Sequence, residues 1–526
     1  MADDVLTDRR SQILLLSVAA VALFLDGLDG TIVNVVLPDM AGDFGTDTSA
    51  TSWVVTAYYV MMAGLILIFG KVCDAGALKR VFTLGLVVFA VGSLACGLSA
   101  TLPVMLVSRV VQGIGAAMLA SSAFMVGIRY LPKSMSGFVL SVSVLGIAVG
   151  SAAGPLLGAV LAEFSSWHMV FLINVPIAVV AAVVAVRVVP PDAGFSGKGF
   201  DIRGAALLFV ALVCGLYVLE SSPSHGFDTV SLVCTALFLV CISLFIVTER
   251  RASDPVIKLR LFRSRGLLSA MFLLTIVNMC YLGCLYLLPY YMSTVMGLDS
   301  LGTSLYLAIP AVATLLLCVW VGRAADRIGN RPFTIAASAL MVASMVAYVF
   351  ADADHVMPLI AGLVLMGVMW GLGGGTISNR MLDNMPDEDR PAGASMSSFL
   401  IYLGCAAGTA MFAGLFGFGS GSSGTAIGDL DATTFLDGFA LACIAGAVLS
   451  AIGLVLSVSK DVSHSDGSDR SSRWRIGSRR AIGSQDLRLD DGPEVLKPAD
   501  LGRHDVDAAL VAQQDDVAAH ETLGHA

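Results

Sequence analysis

Residues 13–37 read ILLLSVAAVALFLDGLDGTIVNVVL, and Asp26 and Asp29 are the only charges in the stretch. A hydrocarbon core about 30 Å thick is crossed by about 20 apolar residues in a helix. The segment is therefore long enough to span a bilayer. It is too long for the apolar core of a secretory signal and lacks a small-residue cleavage site, so it reads as a first retained span.

Working outward, similar apolar runs cover 53–69, 81–98, 102–128, 138–161, 169–186, 204–219 and 230–247. Others follow at 266–290, 301–321, 332–350, 357–377, 392–418 and 435–458. The whole chain of 526 residues is 56% hydrophobic and 13% charged, with mean hydropathy +0.83. A soluble domain carries about 25% charged residues. These numbers exclude a soluble protein and predict an all-α polytopic membrane protein with fourteen transmembrane helices. Cys280 and Cys284 share a helix face, but no other ligand type accompanies them, and apolar packing is the expected role.

Orientation follows from the loops. Alternate connections carry Lys71, Lys79 and Arg80; Arg129 and Lys133; Arg187, Lys198 and Arg203; and a cluster from Arg250 to Arg265. Arg323, Arg327 and Arg331, then Arg380 and Arg390, continue that side. The intervening loops hold Asp39, Asp43, Asp47, Asp228, Asp299, Asp352, Asp354 and Asp429, with no Lys or Arg. The positive-inside rule makes the basic side cytoplasmic, and an even number of spans puts both termini there. Residues 1–12 are then a cytoplasmic N-terminus, and the polar, Ser-rich and acidic stretch 461–526 reads as a disordered cytoplasmic tail.

Two short motifs match across the halves of the chain. Gly70-Lys-Val-Cys-Asp74 leaves the second span and Gly322-Arg-Ala-Ala-Asp326 leaves the tenth, each followed by basic residues: Lys79 and Arg80, then Arg327 and Arg331. Duplicated halves are a mark of transporters that bind substrate between the repeats. An Asp beside Arg at a helix end can form a charge-assisted latch that closes one face.

Charges inside the spans are few: Asp26, Asp29 and Arg109. A guanidinium at bilayer depth costs about 2.5–3.5 kcal/mol even on insertion scales, so it calls for a partner. At about 1.5 Å per residue, Asp29 lies about 12 Å below the end of the first span, and Arg109 about 10 Å from the same side. An Asp29–Arg109 pair is geometrically open. Asp26 shares the Asp29 face at i,i+3. Gln112 lies one turn beyond Arg109, at the start of a small-residue face. In the fifth span Gly146, Gly150, Gly154 and Gly158 recur every fourth residue with Pro155 among them. Such a ridge leaves a groove for close approach of another backbone.

These residues carry a resemblance. Leu28-Asp-Gly-Thr-Ile-Val-Asn-Val-Val-Leu-Pro38 resembles the first-helix motif of the fourteen-helix drug:proton antiporter branch of the major facilitator superfamily. Leu106-Val-Ser-Arg-Val-Val-Gln-Gly-Ile-Gly-Ala-Ala117 resembles its proton-coupling motif, and Gly146 to Gly158 its antiporter motif. Trp53-Val-Val-Thr-Ala-Tyr58 and Trp167-His-Met-Val-Phe-Leu-Ile-Asn-Val-Pro176 are similar to that branch as well. The first loop departs from the pattern, with Ala75 where the family has Arg; the second copy, Asp326-Arg-Ile-Gly-Asn-Arg331, keeps it better. Ala159 stands where the family favours a second Gly.

The resemblance implies a six-helix bundle over 13–188, a linker with two inserted helices over 189–265 and a second bundle over 266–460. It implies proton-driven export of lipophilic or cationic drugs across the cytoplasmic membrane by alternating access. The proton gradient is the energy source, and no cofactor, metal or nucleic acid takes part. Asp26, Asp29 and Arg109 are the expected proton-coupling residues. Gly70, Asp74, Lys79, Arg80, Gly322, Asp326, Arg327 and Arg331 are the expected gate. Candidate substrate contacts are Asp26, Asn34, Tyr58, Tyr59, Gln112, Asn278, Tyr286 and Tyr402. The chain is expected to work as a monomer in contact with lipid, a small-molecule substrate and protons. The alternative is export of one dedicated metabolite, such as a siderophore, lipid precursor or antibiotic. A membrane enzyme is disfavoured, since the sequence offers no nucleophile–base set, metal cluster or phosphate loop.

Overall fold

In the computed structural model of the protein, the described residues are 6, 8–132, 135–164, 166–192, 201–226, 228–252, 255–352, 355–386, 389–421 and 430–458. The expected tail, 461–526, lies outside them. Among the described residues the long elements are all helices, and the first group comprises α1 (Arg9–Val35), α2 (Leu37–Phe44), α3 (Thr48–Val72), α4 (Leu78–Gly97), α5 (Leu102–Tyr130), α6 (Ser136–Phe164), α7 (Met169–Leu172) and α8 (Asn174–Val188). A pair follows, α9 (Ile202–His225) and α10 (Thr229–Glu249). The rest are α11 (Arg265–Thr294), α12 (Ser300–Ile328), α13 (Arg331–Val349), α14 (Val356–Gly373), α15 (Thr376–Asp383), α16 (Arg390–Ser420) and α17 (Ala432–Val458). Among the described residues 12 helical segments are long and apolar enough to cross a membrane, Thr48–Gly97 counting as one of them. The chain is a multi-pass membrane protein.

The acidic loops owe part of their composition to helix starts. Asp47, Asp228 and Asp299 each accept a hydrogen bond from a backbone N–H in the first turn of α3, α10 and α12. A carboxylate there satisfies an orphan donor and complements the helix dipole. At the basic end the turn between α3 and α4 is tighter than the loop expected from sequence. Helix continues to Val72, and a five-residue π-type turn, Cys73–Ala77, passes directly into α4. Gly76 makes this possible at φ 102, a conformation that a side chain disfavours.

Packing divides the helices into two sets. In the first, α1 lies against α6, and α5 against α3 and α4; in the second, α11 lies against α16 and α17, and α13 against α14 and α17. The sets meet where α3 packs on α16 and α6 on α12. Helix α9 packs against α10, α16 and α3, so it touches both sets. Only 11% of the apolar window of α10 is buried, against 44% for α9, which leaves α10 as the outlying member of the pair.

Lipid tails are as apolar as Leu, so helix association in a bilayer relies on close backbone approach rather than hydrophobic burial. The α1–α6 seam shows this directly. A Cβ at Gly146 would stand 2.7 Å from the Ala20 carbonyl oxygen, one at Gly150 2.2 Å from that of Phe24, and one at Gly154 2.0 Å from Thr31 Oγ1. Gly158 is looser, its nearest neighbour 3.1 Å away. From α1, Gly27 reciprocates against Ile147, and Thr31 Oγ1 donates to the Ser151 carbonyl at 3.1 Å. The seam fixes the depth and rotation of α1, and with them Asp26 and Asp29.

Candidate functional site

Asp29 and Arg109 face each other across α1 and α5. Arg109 Nη1 donates to Asp29 Oδ2 at 2.7 Å, and both side chains are buried. Gln112, three residues along the same face of α5, donates from Nε2 to Asp29 Oδ1 at 2.8 Å and to Ser93 Oγ at 2.9 Å. Its Oε1 accepts from Arg109 Nη1 at 2.7 Å. From α8, Asn174 Nδ2 donates to Asp29 Oδ1 at 3.2 Å. Arg109 Nε donates to the Val54 carbonyl of α3 at 2.7 Å, and the Tyr58 ring lies 4.3 Å from the guanidinium carbon.

The contacts bear on the cost of the buried charge. A hydrogen bond to a charged group contributes about 1.5–3 kcal/mol, and a desolvated cation–π contact about 2 kcal/mol. Several of them together are of the size needed to offset burying a guanidinium. Arg109 also has acceptors that are not Asp29, namely Val54 O and Gln112 Oε1. The guanidinium can stay bound if the carboxylate loses its charge. Within the cage Tyr58 Oη and Asn174 Oδ1 are buried without a hydrogen-bond partner among the described residues.

Asp26 lies elsewhere. One turn down α1, its Oδ2 accepts from Tyr402 Oη at 2.9 Å, and Tyr402 belongs to α16 of the second set. Tyr402 stacks on Tyr59 of α3, whose hydroxyl donates to the Gly30 carbonyl at 3.3 Å. Asp26 and Tyr402 are only half-buried, unlike Asp29. Further along α1, Asn34 lines a small void between the sets with Pro155, Tyr281 and Pro310, with room for a water molecule. Asn34 Oδ1 is buried and unpartnered there among the described residues, and Tyr281 stacks on Trp370 at 4.3 Å.

The other candidate substrate contacts are placed differently. Tyr58 and Gln112 belong to the Arg109 cage, where every polar atom of Gln112 is engaged. Asn278 is buried within the second set, its Nδ2 donating to Leu274 O and its Cβ against the α16 backbone at Gly404. Tyr286 donates to the Thr48 carbonyl, joining α11 to α3 at the acidic end. Ser300 Oγ donates to Asp39 Oδ2 at 2.8 Å at that same end, so the sets touch there.

At the basic end the two motif copies are unequal. Asp192 accepts from the backbone of Lys79 at 2.7 Å and of Arg80 at 3.2 Å, while Lys79 Nζ donates to the Val186 and Val189 carbonyls at the end of α8. These bonds stay inside the first set; Gly70 approaches the second, near Ser395 of α16. In the other copy Gly322, Asp326 and Arg327 are exposed, and a Cβ at Gly322 would meet nothing within 4 Å. Arg331 donates to the Val458 carbonyl at the end of α17. The copy closer to the family pattern is thus the less engaged one.

Sequence reasoning missed three polar residues. Ser93 and Asn174 sit in apolar runs, and an Asn among aliphatic residues was a usable signal. Glu220 is the third: the span expected to end at residue 219 continues as α9 to His225, and Glu220, near its end, is buried in the packing of that helix.

Comparison with known proteins agrees with this architecture. Residues 19–409 match the Major Facilitator Superfamily, and the chain belongs to that family of transporters. It is 28% identical over 415 residues to the riboflavin transporter RibZ of Clostridioides difficile, spanning 77% of this chain and 88% of that protein. It is 27% identical over 400 residues to a multidrug resistance protein B homolog of Mycobacterium tuberculosis, spanning 75% and 74% respectively. Similarity to relatives named for multidrug resistance agrees with the drug-antiporter motifs. In fold, the chain resembles the crystal structure of a bacterial homolog of the human lysosomal transporter Spinster, with TM-score 0.61 and 15% identity over 86% of this chain and 98% of that one.

Proposed function

We propose that the protein is a proton-coupled exporter of lipophilic or cationic compounds, acting by alternating access in the cytoplasmic membrane. The observation that carries this reading is the closed Asp29–Arg109–Gln112 cage set beside a half-buried Asp26 that reaches the other set through Tyr402. A proton on Asp29 cancels the ion pair while Val54 O and Gln112 Oε1 retain the guanidinium, so charge changes without loss of the whole network. A substrate cation meets Asp26 in the space between the sets, and its arrival competes with the Tyr402 hydrogen bond.

Fourteen crossings with both termini cytoplasmic complete the reading. Thr48–Gly97 is 50 residues long, about 75 Å at helical rise, more than twice the bilayer core, and Gly76 breaks it. Helix α6 adds a further crossing, with Val142–Gly158 as its apolar core. The basic ends of the helices then face the cytoplasm. The gate residues of the two motif copies act at that face, Gly70, Asp74, Lys79 and Arg80 in one, Gly322, Asp326, Arg327 and Arg331 in the other.

Dye efflux in inverted vesicles tests the proposal. Efflux should collapse when the proton gradient is dissipated, and D29N or R109A should uncouple it. Unchanged transport in both variants defeats the mechanism. A second reading, export of one dedicated metabolite, draws on the likeness to a riboflavin transporter and on the stacked Tyr281–Trp370 pair beside the void. Competition among chemically unrelated compounds for one transport activity argues against it.

A further inference from the structure

Glu220 takes no part in the cage and has no assigned role. Its side chain is buried, near the end of α9 that lies with the acidic loops. Ser49 Oγ of α3 donates to its Oε1, and the Trp53 side chain also hydrogen-bonds the carboxyl. Ser52 Oγ, which donates to the Ser49 carbonyl at 2.7 Å, lies 3.4 Å from the same oxygen. Its own backbone is held by the other set: a Cβ at Gly414 of α16 would stand 2.4 Å from the Glu220 carbonyl oxygen. Lower on α9, Tyr217 packs against Trp53, with ring centroids 6.1 Å apart. One residue before Ser49, the Thr48 carbonyl accepts from Tyr286.

The first turn of α3 is therefore held from two sides, by the hydroxyl of α11 and by the carboxyl of α9. A carboxyl buried at this depth costs several kcal/mol unless its lone pairs are occupied. Among the described residues no Lys or Arg pairs with it, and α10 and α16 bring it no charged contact. The titratable groups facing it are Asp47 at the head of α3 and Tyr286 on α11. Apolar packing would hold α9 at lower cost, so the acid at this spot calls for another explanation.

Resting on the orientation proposed above, which makes this end external, we infer that Glu220 is a proton-exchanging latch through which the inserted helix α9 controls the external gate. When α3 and α16 part at this end, α9 cannot follow both. The carboxyl then leaves its hydrogen bonds and meets external water, where it exchanges a proton; reclosing returns it to Ser49 and Trp53. The inserted pair thus becomes part of the gate rather than a spacer.

The test is amide hydrogen exchange on the full chain in lipid nanodiscs, followed over residues 48–56 from pH 5.5 to 8 and corrected for intrinsic rates. In the wild type, exchange should be slow at low pH, where the neutral acid accepts from Ser49. It should rise about fivefold toward pH 8 as the carboxyl ionises and leaves for water, the worth of one hydrogen bond. E220A should exchange at that fast limit at every pH, whereas E220Q, which keeps an acceptor for Ser49, should hold it slow and pH-independent. E220D should restore the pH response. A wild-type profile in E220Q, or unchanged low-pH exchange in E220A, overturns the latch. If E220A does not fold, the comparison of E220Q with E220D still decides. Transport that ignores the proton gradient, with the Glu220-dependent exchange intact, would sink the coupling reading and leave the latch standing.

Discussion

Tyr402 Oη donates to Asp26 Oδ2 at 2.9 Å, the hydrogen bond by which α16 of one helix set holds an acid on α1 of the other. Both side chains are half-buried, so the contact lies at the edge of the space between the sets. A hydrogen bond to a charged group contributes about 1.5–3 kcal/mol, a factor of ten or more in an equilibrium. Y402F should therefore weaken transport of a cationic dye about tenfold, and D26N should weaken it further while sparing a neutral lipophile. Efflux of the two dye classes from inverted vesicles checks this; equal losses for both would remove Asp26 from cation recognition.

The Asp29–Arg109 pair separates structure from coupling. Removing one partner leaves a buried, uncompensated charge and should cost about 3–5 kcal/mol in R109A. Replacing both by apolar residues of similar volume, D29L with R109M, should restore most of the thermal stability. Transport coupling should stay lost in the double variant. Thermal unfolding in detergent, paired with gradient-driven efflux, reads both; a double variant that still couples would reduce the pair to packing.

How much of this was legible in the sequence depends on the range of the interaction. Asp29 and Arg109 could be matched because helical rise converts residue number into depth, and depth alone brought them level. The α1–α6 seam was legible in part, since a glycine every fourth residue announces a groove but does not say which helix fills it. The bonds from Asp192 to the head of α4 were not legible, because they depend on where α8 ends in three dimensions. Glu220 was lost for a simpler reason: hydropathy stops where the first acid appears, whereas the helix continues under tertiary contact with α3 and α16.

The seam makes its own prediction. At Gly150 a Cβ would lie 2.2 Å from Phe24 O and 2.9 Å from Leu28 N, both backbone atoms that cannot swing away. G150A should push α1 from α6 and cost about 1–3 kcal/mol, with transport falling alongside. At Gly42 of α2 nothing lies within 4 Å, so G42A should be neutral or stabilising by up to about 1 kcal/mol. Unfolding midpoints followed by tryptophan fluorescence compare them, and similar midpoints would mean that the seam is slack.

Asp389, just before α16, joins that helix to the segment that follows α10. Its carboxylate accepts from Lys258 Nζ at 2.6 Å and from Arg260 Nη2 at 2.9 Å. Burial opposes the charged form, but the bonds from Lys258 and Arg260 outweigh it and hold the carboxyl below its ordinary range. A depressed acid contributes stability that is present above its unfolded value, about 3.9, and is lost as pH falls through the folded value. The two basic side chains are substantially exposed, so solvent screening limits the contribution to about 1 kcal/mol. Wild-type unfolding midpoints should therefore drop on acidification below about pH 4, and D389N should start lower at neutral pH and show a smaller acid-dependent fall. K258A and R260A should each give part of the D389N effect, and the double variant most of it, because both cations share one acceptor. An acid-dependent fall in D389N as large as in the wild type would assign that pH sensitivity to other carboxylates.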